Sequence, residues 1–96
     1  MRKMMMISIM IVKVILMTTF VPFNYPQIDM IKTGENIRSL CEENNLSACA
    51  IERLFNISNQ SVYNWFSGKS LPSLDNLLAL SSLLNVHMEE LLVYSV

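Results

Sequence analysis

The chain has 96 residues, 52% of them apolar and 16% charged, with seven Lys and Arg against eight Asp and Glu. That length holds one small domain, the apolar content excludes global disorder, and the near-neutral balance hides any strongly basic nucleic-acid module. Two Cys and one His are too few for a disulfide framework, an ordinary zinc site or a hydrolytic triad, so no catalytic residue, metal or cofactor is expected and the chain does not read as an enzyme.

The totals average two unlike pieces. Residues 4–23 read MMMISIMIVKVILMTTFVPF, and residues 1–23 hold Arg2, Lys3 and Lys13 with no acid. Residues 24–96 hold four bases, Lys32, Arg38, Arg53 and Lys69, against all eight acids. Pro22 and Pro26 resist helix continuation near the boundary. The expected division is a hydrophobic N-terminal extension over 1–27 and a folded domain over 28–96. The extension allows three readings. As a membrane anchor, residues 4–23 have a suitable length, but Lys13 sits mid-span, where a charge costs about 2.5–3.5 kcal/mol. As a secretory signal they lack a small-x-small cleavage site. The third reading is an overlong translation start, with Met17 or Met30 as alternatives.

Five helices follow in chain order. The first opens near Asp29, carries Ile37, Leu40 and Cys41 at helical spacing, and closes at Asn44-Asn45. Ser47 caps a second with Ile51, Leu54 and Phe55 inward, closed by Asn56. Ile57 alone separates that stop from Ser58, which caps a third helix burying Val62, Trp65 and Phe66 and ending at Gly68. Pro72-Ser73 open a fourth, whose Leu77, Leu78, Leu80 and Leu84 supply most of the core before Asn85. His87 caps or flanks a last short helix with Met88, Leu91 and Leu92. No run alternates with period two, so strands are not expected and the fold class is all-α.

The three-residue link Asn56-Ile57-Ser58 forces a steep crossing and leaves the third helix projecting. Its outer face is Asn59, Gln60, Tyr63 and Asn64, amides and a phenol rather than the usual Glu and Lys. A planar amide offers one donor and one acceptor, the complement of the N6/N7 edge of adenine. An exposed polar helix with no ligand has the same composition. Cys41 and Cys49 have no partner at metal spacing and read as core thiols in a reducing cytoplasm. Leu91, Leu92, Val93 and Tyr94 read as an apolar C-terminal patch suited to pairing.

Three segments, TGENIRSLCEENNLS (33–47), ISNQSVYNWFSGKSLPSLDNLLALSSLLNV (57–86) and MEELL (88–92), resemble the lambda-repressor/Cro (Xre-like) helix-turn-helix regulators. The resemblance spans roughly residues 28–94. Its most specific part is the joint spacing of the polar helix start, Val62, Trp65, Gly68-Lys69 and Pro72-Ser73. It implies a five-helix lambda-repressor-like DNA-binding domain over 28–96. Residues 47–55 would cross the DNA backbone, and 58–67 would enter the major groove as the recognition helix. Asn59, Gln60 and Asn64 match base-reading positions, with Ser61 and Tyr63 as lesser candidates. Ser47 and Ala48 at a helix N-terminus, the cap Ser58, Lys69 and Ser70 match contacts to the phosphate backbone. The implied partners are double-stranded DNA and a second copy of the chain, in the cytoplasm, with a membrane engaged only through residues 4–23. A protein-interaction module such as an antitoxin is the alternative role.

Four departures stand out. Glu52 occupies the position of a small residue at the helix–helix contact and is expected to loosen it. Asn56 replaces the turn Gly and tolerates the left-handed conformation. Cys41 and Phe66 replace an Arg–Glu pair, a joint change that strands no charge and predicts that the two meet in the core. The acidic balance of the domain predicts few phosphate contacts and a shallow salt dependence, with Lys69, and in addition Arg53 or Lys32, as the available cations.

Overall fold

Short polar side chains open the first four helices in the computed structural model, which describes residues 23–96. The anchor, signal and start-site readings of the first 22 residues lie outside the described part. Helix α1 spans Met30–Glu43 and opens on Asp29, whose carboxylate accepts the Lys32 N–H at 3.0 Å. Ser47 does the same for α2 (Ala48–Phe55), Ser58 for α3 (Asn59–Ser67) and Ser73 for α4 (Leu74–Leu84). Each satisfies a backbone donor that the first helical turn leaves unpaired. The stops are left-handed residues as expected: Asn45 (φ 58°) after α1, Asn56 (φ 52°) after α2, Gly68 (φ 79°) after α3 and Asn85 (φ 55°) after α4. His87 precedes α5 (Met88–Leu91), and its backbone N–H donates to Glu90 Oε2 at 2.7 Å.

Every helix contributes to one core, built of Ile37, Cys41, Ala48, Ile51, Val62, Trp65, Leu77, Leu80, Leu84 and Leu91. Phe66 is half-buried and packs against this cluster, in which Cys41 is wholly enclosed. Phe55 and Trp65 meet across the α2–α3 joint with ring centroids 6.3 Å apart.

Three residues read as core lie outside it. Leu54 is 61% exposed, Leu78 is 58% exposed, and Cys49 is exposed. Helix α2 buries the stripe Ala48, Ile51, Phe55, and α4 buries Leu77, Leu80, Leu84. Successive residues turn by about 100°, so the neighbours Cys49, Leu54 and Leu78 are carried off those stripes. Helix α4 has more leucines than its inward face can take.

The described residues also contain a short ladder that the sequence reading did not expect. Strand β1 (Gln27–Ile28) pairs antiparallel with β2 (Tyr94–Ser95), Gln27 opposite Ser95 and Ile28 opposite Tyr94. Two residues are too few to leave an alternating pattern, and the partners come from opposite ends of the domain. The C-terminal patch is thereby largely used within the domain: Leu91 is fully buried, Leu92 and Val93 are half-buried, and Tyr94 is in the ladder. Tyr94 and Val96 stay exposed, and α2 and α4 add the exposed leucines Leu54, Leu74, Leu78 and Leu83.

Candidate nucleic-acid interface

The interface grows from the α2–turn–α3 unit. Asn56 turns the chain in the left-handed region, Ile57 anchors the turn against the core, and Ser58 opens α3 at once. Val62 and Trp65 then fasten α3 from beneath, which fixes the direction of its remaining side chains. Glu52 is accommodated by a bond: its carboxylate accepts from Asn59 Nδ2 at 3.1 Å, joining α2 to the first residue of α3.

Gln60 is exposed, and its Nε2 donates to Asn64 Oδ1 at 3.0 Å one turn on. The two amides therefore form one outward-facing unit. Tyr63 is 54% exposed, with its ring edge-on to Phe66 at 6.2 Å. These side chains line a shallow groove of about 300 Å³ together with Arg38, Ser67 and Lys69. Arg38 and Lys69 are its two charged residues, and no carboxylate lines it.

Of the five base-contact candidates, the structure thus gathers Gln60, Tyr63 and Asn64 in one groove. Asn59 is half-buried, with its amide on Glu52 and 3.8 Å from Cys49 Sγ. Ser61 is half-buried, and its hydroxyl lies 2.8 Å from the Ser58 hydroxyl. Among the backbone-contact candidates, Lys69 reaches the groove, while Ser47 and Ser58 are exposed caps whose hydroxyls accept helix N–H groups. Ser70 is half-buried, its N–H directed to the Asn64 carbonyl at 3.3 Å, and Ala48 is a core residue.

Sequence reasoning missed Arg38, which stands on α1 and joins the α3 face only through packing. The signal for that packing was the placement of two glycines. A Cβ at Gly34 would fall 2.3 Å from the Trp65 carbonyl oxygen and 2.7 Å from that of Phe66. A Cβ at Gly68 would fall 2.8 Å from Ile31 Cα and from the Met30 carbonyl oxygen. Both glycines of the chain therefore lie where α1 and the end of α3 touch backbone to backbone.

A family model described as Helix-turn-helix matches residues 37–91, more than half of the chain. The crystal structure of the restriction-modification controller protein C.AhdI from Aeromonas hydrophila is similar at a TM-score of 0.59 and 28% identity, over 66% of this chain and 96% of that one. No curated protein matches the sequence. Among the described residues no helix is long and apolar enough to cross a membrane. With five helices, a three-residue turn and an α3 that turns Gln60 and Tyr63 to solvent within the matched residues, the chain belongs to the lambda-repressor-like (Xre-type) helix-turn-helix family of DNA-binding transcription regulators.

Proposed function

We propose that the protein is a sequence-specific regulator that lays α3 in the major groove of duplex DNA and acts as a symmetric dimer. The observation that carries this reading is the hydrogen-bonded pair of the exposed Gln60 and the half-buried Asn64, in the groove that Lys69 also lines. Each amide can present a donor and an acceptor in one plane to an adenine edge. Tyr63 is placed to meet a thymine methyl or a sugar, and Asn59 and Ser61 would join after exchanging Glu52 and Ser58 for bases. Lys69 and Ser70, with Ser47, Ala48 and Ser58 at helix N-termini, would hold the phosphates on either side. Pairing of two copies would double a small set of cationic contacts, and the leucines left exposed on α2 and α4 offer surface for it.

Selection of bound sequences from random duplexes by the full chain tests the reading. The Gln60→Ala/Asn64→Ala variant is expected to keep its helical circular dichroism and to lose at least tenfold in affinity for the selected sequence, about 1–3 kcal/mol per amide. The selected sequence binding no better than random duplex would defeat it. The alternative role, a protein-interaction module such as an antitoxin, predicts the other outcome, a partner complex untouched by these changes.

A further inference from the structure

We infer that Arg38, on a helix outside the helix-turn-helix unit, is a second contact to the nucleic-acid backbone, held ready beside the α3 groove and moderated by Glu42. The inference rests on the DNA-binding reading above and adds a residue to it. Three observations carry it.

The groove on the outer side of α3 is lined by both Arg38 and Lys69, together with Tyr63 and Asn64. Two cations lining one shallow channel with no carboxylate beside them make it a place for an anion. The channel is open and has Tyr63 and Phe66 in its lining, apolar surface that suits a phosphodiester strand with sugars rather than a compact free anion. The domain as a whole is acidic, with four bases against eight acids in residues 24–96, so the placement of half of those bases at one groove is a local reversal of charge.

Arg38 is also not consumed by its one ion pair. Its Nε donates to Glu42 Oε1 at 3.0 Å, with both side chains more than 60% exposed. The two terminal amino groups of the guanidinium remain to donate, and the planar fork suits a phosphate. An exposed pair at this helical spacing is weak, so a phosphate competes with Glu42 readily. Glu42 therefore subtracts from the attraction, without locking the guanidinium away.

Finally, the geometry that brings Arg38 there is rigid. Helix α1 meets the end of α3 through Gly34 and Gly68 at backbone contact, which fixes the distance between Arg38 and the α3 face. A larger residue at either position would push the cation out of register with Lys69.

The test is the binding of full-length protein to its selected duplex and to a short random-sequence duplex, from low to moderate potassium chloride. Arg38→Ala is expected to weaken both by a similar factor, about five- to tenfold at low salt, and to reduce the salt slope by about one. The preference for the selected duplex should be unchanged, because a phosphate contact reads no base. Glu42→Gln should tighten both duplexes by a few-fold, and Arg38→Lys should retain part of the wild-type affinity. Unchanged melting temperatures for all three variants show that folding is not the cause. If Arg38→Ala leaves affinity and slope as they were while Gln60→Ala/Asn64→Ala still loses binding, the assignment of Arg38 is wrong and the DNA reading stands. If the wild-type chain binds neither duplex, both are overturned.

Discussion

Cys41 and Cys49 have the same chemistry and opposite surroundings. Cys41 is wholly enclosed, and burial, reinforced by the nearby charge of Glu42, raises its thiol pKa from 9.0 to about 11. The neutral thiol is the form the fold favours. Its contribution to stability is complete below pH 9 and declines as the pH rises from there towards 11, because the unfolded chain ionises first. Alkylation at mildly alkaline pH should therefore modify Cys49 promptly and Cys41 only on unfolding, as read by mass spectrometry of the intact and denatured protein. Equal rates at the two sites would contradict the enclosed position of Cys41. Single residues also explain most of what the sequence announced. Asparagine at 45, 56 and 85 adopts positive φ more easily than other L-residues, so three of the four left-handed stops could be placed from residue type alone.

The elements are joined along two seams of different legibility. The α2–α3 joint was visible in the sequence because its parts are neighbours in the chain: Ser47, Asn56 and Ser58 act within a few residues of where they stand. The α1–α3 seam was not, because a glycine inside a helix shows only a local cost until its neighbour across space is known. Gly34→Ala is expected to destabilise the domain by about 3 kcal/mol, since the added methyl meets backbone oxygens that no rotamer change can move. Urea unfolding monitored by Trp65 fluorescence measures this, and a variant of wild-type stability would show that the two helices are not in backbone contact. Leu54 and Leu78 mark the converse limit. Their residue type is that of the core, but only contact between whole helices decides which of several apolar positions face inward.

At the scale of the molecule, the first helix is tied to the end of the chain. The Thr33 hydroxyl accepts the Val93 N–H at 2.9 Å and lies 3.2 Å from the Val93 carbonyl, to which it donates. Asn36 Nδ2 donates to the carbonyls of Glu90 at 2.8 Å and Leu91 at 3.2 Å. Asp29 N–H also donates to Val93 O at 2.8 Å, beside the β1–β2 ladder. Thr33→Val keeps the shape of this fully buried side chain but leaves the Val93 N–H without an acceptor, for an expected loss of about 1–3 kcal/mol. Amide exchange at Val93 should accelerate in the same variant, and unchanged protection there would count against the tie. The sequence by itself determined the helix order, the caps, the turn and the polar face of α3, since these depend on backbone preferences of residues close together in the chain. Tertiary structure alone decided that Arg38 lines the same groove as Lys69, that Asn59 turns to Glu52, and that the two ends of the domain pair. Those contacts join residues whose separation in sequence carries no periodic signal, and they exist only once the core has fixed how the helices lie against one another.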